Sequence, residues 1–176
     1  MNKKLDQTIY KPVIIYIAEP NLAFAQIMVN KLRGLHIGNI VHFESGENML
    51  AELKKKQPTL VIVNYALNEK NNTLLDGKEI LAIMKKDFQA IPVIIITSVD
   101  TLNKAEEIIE SGATDYIIRN DDWFDNLQST IFNLIEIRDL KTDLININSR
   151  LKKRIIWILT FGLLLSAGIL AYAWFN

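Results

Sequence analysis

The sequence predicts an α/β chain: a doubly wound sheet of five parallel strands, then a long helix and one helix able to cross a membrane. Three observations carry this reading. Short apolar runs recur at regular intervals, at 12–18, 39–43, 59–64, 92–97 and 114–118. Stretches with helical spacing separate them. Near the end, Ile155 to Phe175 is a run of 21 residues without a charge.

The first run, "PVIIYIA", is nearly continuous Val and Ile, as expected of a strand buried on both faces. Leu22, Ile27, Val29 and Leu32 then fit the inner stripe of a helix. "NIVHF" is the second strand, and "ESGENML" opens a helix whose inner residues are Met49, Leu50 and Leu53. "TLVIVN" delivers Asn64 to the end of the third strand. The polar, Asn-rich connection 65–76 reads as a tolerated surface insertion, with a partner-binding or pocket-covering loop as the alternative. Ile80, Leu81 and Met84 mark the third helix, and "PVIIIT" is a strand ending in Thr97. Ala105, Ile108 and Ile109 mark the fourth helix, and "TDYII" leads to Arg119. A fifth helix starts near Trp123, capped by Asp121 or Asp122, and carries Leu127, Ile131 and Leu134.

Such alternation implies a parallel sheet with right-handed crossovers and helices on both faces, in a flavodoxin-like arrangement. Sites in that fold lie at the carboxyl ends of the strands. The residues there are Glu19, Pro20 and Asn21, then Asn64 and Tyr65, then Thr97 and Ser98, then Arg119 and Asn120.

A chain of 176 residues accommodates one domain plus something small. Lys+Arg and Asp+Glu both number 20, so no global charge points to nucleic acid. The absence of cysteine excludes disulfides and thiolate metal sites. His36 and His42, the two histidines, are placed on a loop and at a strand edge, which argues against zinc or Ser/His chemistry. The first apolar run, "VIIYIA", is too short for a signal peptide.

The uncharged run would span about 31 Å as a helix, close to the thickness of a bilayer's hydrocarbon core. "RLKKR", Arg150 to Arg154, precedes it, so the positive-inside rule keeps the large N-terminal part in the cytoplasm. Trp157 at one end and Tyr172, Trp174 and Phe175 at the other fit aromatic belts. The expected organisation is an N-terminal extension 1–11, a domain 12–138, a helical connector 139–154 and a transmembrane helix 155–175, making a tail-anchored protein. From Trp123 to Arg154 there is no Gly or Pro, and Ile137, Leu140, Leu144, Ile147 and Leu151 fall at heptad spacing. This stripe suits a short homodimeric coiled coil or an amphipathic helix on lipid. Gly162 and Ser166, with Ala167 and Ala171, favour the dimer, because small residues let membrane helices approach closely. "NINS", Asn146 to Ser149, is a candidate hinge.

Several motifs then combine: "GATDY" before the fifth strand, Thr97 closing "PVIIITS", Asp76-Gly77 opening the third helix and "ESGENML" opening the second. On these, residues 12–138 resemble the receiver domain of bacterial two-component response regulators. The resemblance implies two acidic residues after the first strand, an Asp acceptor after the third that binds Mg²⁺ with them, and a lysine after the fifth. Here those positions align with Glu19 and Pro20, with Asn64, and with Arg119, while Asn120 replaces the proline after that lysine. An amide is a far poorer nucleophile than a carboxylate. Bulky Tyr65 hinders deamidation of Asn64, and Thr97 and Ser98 lack a metal site to activate transfer. Glu19 and Arg119 are therefore expected to pair across the pocket, with Asn64 hydrogen-bonded between them.

The resemblance further implies a switch coupling Thr97 to Tyr116, and a partner surface on the fourth and fifth helices and fifth strand, with Trp123. The resulting expectation is a pseudo-receiver of two-component phosphorelay signalling at a bacterial inner membrane: not an enzyme, using no metal or cofactor, and acting as a phosphorylation-independent adaptor or scaffold through protein contacts. Its partner would be a kinase, a regulator or a membrane complex. The alternatives are a small structural subunit of a membrane complex and an atypical phosphoacceptor.

Overall fold

The structure, a computed structural model, describes residues 12–67, 75–98 and 102–175, with the side chains of 102–104, 165 and 167–175 left out of the description. Element order is β1 (Ile14–Ala18), α1 (Leu22–Gly34), β2 (Asn39–Phe43), α2 (Gly46–Leu53), β3 (Leu60–Asn64), α3 (Gly77–Asp87), β4 (Val93–Thr97), α4 (Leu102–Glu110), β5 (Asp115–Ile118) and α5 (Trp123–Phe175). The five strands pair in parallel in the order β2-β1-β3-β4-β5, the flavodoxin-like order.

The strands read as continuous apolar runs because both sheet faces are covered. Tyr16, Val61, Val63, Val93 and Ile95 pack with Met49 and Leu53 of α2, Ile80 and Leu81 of α3, and Ile108 of α4. Ile15, Ile17, Ile62, Ile94, Ile96 and Ile117 face the other way, onto Met28 and Leu32 of α1 and Leu127 and Ile131 of α5. Alternate residues of one strand thus belong to different cores, as the pleat requires.

Helix starts follow the sequence cues. Asn21 caps α1, Ser45 caps α2, and Asp76 with Glu79 forms a capping box on α3. The Gly112 of "GATDY" turns the chain into β5 with φ +105°, a left-handed conformation that suits glycine.

Some apolar assignments change. In α1 the buried stripe is Ala25, Met28, Val29 and Leu32, whereas Leu22 and Ile27 are exposed. The helix lies rotated so that small Ala25 and flexible Met28 meet the sheet. In α4 Ile108 is buried and Ile109 is exposed. His36 lies in the exposed turn after α1, and His42 sits on the edge strand β2.

The chain forms two compact units, Met1–Ile135 and Glu136–Asn176. Helix α5 is unbroken through Asn146–Ser149, so "NINS" forms no break. The Ser149 hydroxyl donates to the Asn146 carbonyl at 2.8 Å, a local bond the helix accommodates. Among the described residues no helix is long and apolar enough to cross a membrane. The predicted span falls partly outside that description, at residues 165 and 167–175, whose side chains it leaves out. The predicted extension 1–11 and loop residues 68–74 also lie outside the described residues.

Candidate functional site

Strand register builds the site. Ala18 pairs with Val63 across β1 and β3, so the next residues, Glu19 and Asn64, leave the sheet side by side. Glu19 is 1% exposed and Asn64 9%, a depth at which polar groups need partners. The Asn64 amide nitrogen lies 3.0 and 3.1 Å from the two carboxylate oxygens of Glu19 and donates to both. Asn64 Oδ1 accepts from the Ala66 N–H at 3.0 Å, which fixes the amide orientation, since only this placement satisfies both ends.

Arg119 arrives from the end of β5, its N–H donating to the Thr97 carbonyl at 2.9 Å. Its Nη2 donates to Glu19 Oε2 and forms an ion pair with it. The Asn21 N–H donates to Glu19 Oε1 at 2.9 Å. Each Glu19 oxygen therefore accepts two hydrogen bonds, four in all, which uses the acceptor capacity of a carboxylate.

The structure thus brings Glu19, Asn64 and Arg119 together. Arg119 bonds to Glu19 rather than to Asn64, so the amide lies beside the ion pair and not between its members. Pro20 is half-buried at the start of the β1–α1 turn and offers no charged group. Thr97 is buried at the end of β4. Tyr116 is partly buried against the α2/α3/α4 core and Trp123 is partly buried against the α1/α5 core.

Two neighbours, Phe24 and His42, were not legible in the sequence as parts of the site. The guanidinium of Arg119 lies 3.9 Å from the centroid of the Phe24 ring, and its Nε is buried without a hydrogen-bond partner. Phe24 meets Trp123 at 5.0 Å, so an aromatic stack holds the arginine from the α1 side. His42 Nε2 lies 2.8 Å from the Glu19 carbonyl and ties β2 to the site. Only a short aromatic spacing in α1 and α5 could have suggested Phe24, and nothing in the sequence marks His42.

These residues do not fit a divalent cation. Such an ion needs hard oxygens with free lone pairs. The single carboxylate is saturated by protein N–H donors, and Asn64 turns its nitrogen, not its oxygen, toward the carboxylate.

A sequence model described as "Response regulator receiver domain" matches residues 15–123. The transcriptional regulatory protein ZraR of Escherichia coli (strain K12) is 31% identical over 117 residues, covering 66% of this chain and 25% of that protein. The same-named protein of Klebsiella oxytoca is 30% identical over 119 residues, 68% of this chain and 25% of that one. The chain thus aligns with a quarter of the length of these relatives. Among solved structures, the receiver domain of a putative LuxO repressor from Vibrio parahaemolyticus superposes with a TM-score of 0.65 at 19% identity, covering 77% of this chain and 98% of that one. NtrX from Brucella abortus gives 0.66 at 20% identity, covering 78% and 30%. These structural likenesses establish the shared fold.

Proposed function

The chain belongs to the response regulator receiver family, and we propose that it has kept that fold while giving up phosphotransfer. In this reading it is a membrane-anchored, phosphorylation-independent pseudo-receiver that acts as a signalling adaptor through protein contacts. The observation that carries the reading is the saturated Glu19 carboxylate, closed by Asn21, Asn64 and Arg119. Phosphotransfer in the family needs a carboxylate nucleophile and a metal to neutralise the transferring group. An amide at 64 supplies no such nucleophile. The arginine that would meet the phosphoryl group is already paired with Glu19 and laid against Phe24.

Two carboxylates at positions 19 and 64 would repel at this distance unless a cation lay between them. The amide removes that repulsion and turns it into a hydrogen bond. The pocket is thereby stable without a ligand, which suits a domain held in one state for a constitutive partner.

The membrane part of the reading is supported by the sequence: 21 uncharged residues preceded by "RLKKR". It puts the receiver unit on the cytoplasmic face of a bacterial inner membrane. The partner is then a kinase, a regulator or a membrane complex. Purification from detergent separates the cases: a stoichiometric membrane partner favours a structural subunit, and a soluble kinase or regulator favours signalling.

Thermal denaturation with and without Mg²⁺ and beryllofluoride, a phosphoryl mimic, tests the locked pocket. Ligands that bind only the folded state raise its melting temperature. No shift is expected here, and a clear rise would overturn the reading.

A further inference from the structure

The second compact unit carries an apolar stripe with no cover among the described residues. Ile137, Leu140, Leu144, Ile147 and Leu151 are 47, 56, 67, 55 and 51% exposed. They alternate in steps of three and four along one unbroken helix, the a and d positions of a heptad. The same steps continue through Arg154 to Ile158 and Phe161, which are 71 and 63% exposed. A single helix gains nothing by presenting the part of this seam from Ile137 to Leu151 to water.

We propose that the occupant of this seam is a second copy of the chain, in a parallel, in-register coiled coil running from Glu136 toward the uncharged run. The charges beside the seam choose this occupant. With Ile137 at a, Glu136 occupies g and Lys141 occupies e. In a parallel dimer each g residue meets the e residue of the following heptad on the other helix, so Glu136 faces Lys141 of the second copy twice over. The next such pair, Asp143 with Asn148, is polar and free of like-charge repulsion. A lipid surface is the poorer occupant of the first half of the stripe, where Glu136, Asp139 and Asp143 outnumber Arg138 and Lys141 and anionic headgroups repel the surplus. The seam is short for a free coiled coil. Tethering both copies to one membrane in one orientation raises their effective concentration and enforces the parallel arrangement. That last support rests on the proposed anchoring, whereas the seam and its charges do not.

The chain has no cysteine, so single cysteines report the geometry cleanly. The full-length protein is purified in detergent with Ile137→Cys, Leu144→Cys, Leu151→Cys or Ile145→Cys, then mildly oxidised. Facing a positions approach within disulfide reach, and the outward b position 145 does not. The expected result is dimer bands for 137, 144 and 151 and none for 145. Cross-linking at Leu144 alone would indicate antiparallel packing and overturn the proposal. No cross-link at any position, or equal cross-linking at all four, would overturn it too. Lys141→Glu in the Leu144→Cys background is expected to lower the dimer yield, and adding Glu136→Lys to restore it; no rescue would remove the charge argument. Because these substitutions lie outside the receiver unit, failure here leaves the pocket reading untouched.

Discussion

Asn64 donates its side-chain amide to both oxygens of Glu19, at 3.0 and 3.1 Å, across 45 residues of sequence. The bond joins the ends of two adjacent strands and occupies the place where the family's chemistry would need two like charges. Several consequences follow for stability and binding.

Asn64→Asp puts two carboxylates at hydrogen-bond distance beside a single arginine. The variant is expected to lose about 1–3 kcal/mol at neutral pH, from the lost donor and the new repulsion. A cation between the acids relieves the repulsion, so Mg²⁺ should raise the melting temperature of the variant and leave the native protein unchanged. Chemical denaturation in both conditions checks this.

Arg119→Ala leaves Glu19, 1% exposed, without its cation. Breaking a buried pair from one side costs about 3–5 kcal/mol, and the lower end applies because Arg119 is partly exposed. The Glu19→Gln/Arg119→Ala double variant should recover part of that loss, since the uncompensated charge is gone. A double-mutant cycle in urea measures the coupling.

Gly77 approaches the site backbone closely. A Cβ there would meet Tyr65 Cα at 2.7 Å and the Tyr65 carbonyl at 2.8 Å, and neither can swing aside. Gly77→Ala should destabilise by about 1–3 kcal/mol. Gly34→Ala, with nothing within 4 Å of its Cβ, should be neutral or stabilising by about 0.5–1 kcal/mol. Urea midpoints of the two variants make the comparison.

Tyr16 gives the fold an alkaline limit. Burial, reinforced by the Glu52 carboxylate, pushes its phenol above the ordinary value of 10.0. The folded state keeps the proton that the unfolded state releases. Stability is therefore full below pH about 10 and falls as pH rises toward the folded value. Tyr16→Phe should flatten that fall, at a cost near neutrality of about 1 kcal/mol for the lost bond to the Lys56 carbonyl. Melting temperatures across that range decide it.

Membrane anchoring predicts that the full chain resists alkaline extraction from membranes. Leu164→Arg places a charge near the middle of the run, at a cost of about 2.5–3.5 kcal/mol in the bilayer. The variant should shift toward the extractable fraction, whereas Ile145→Arg should not.

Much of this was legible in the sequence. Both faces of β1, β3 and β4 are covered, so their residues are nearly all apolar and the alternation with helices gives the sheet directly. The strand ends then identify Glu19, Asn64, Thr97 and Arg119. The rotation of α1 was not legible, because Leu22 and Ile27 have the apolar character of core residues and only packing decides that Ala25 and Met28 face inward. Phe24 and His42 escaped for a related reason: each acts through a contact between elements remote in sequence.

The most direct test of the central claim is phosphotransfer itself. The full-length protein, in detergent with Mg²⁺ and acetyl phosphate, is followed by intact-mass spectrometry beside an Asn64→Asp/Pro20→Asp variant. No mass gain is expected in the native chain. A gain of about 80 Da, one phosphoryl group, would contradict the central claim and show that another residue has become the acceptor.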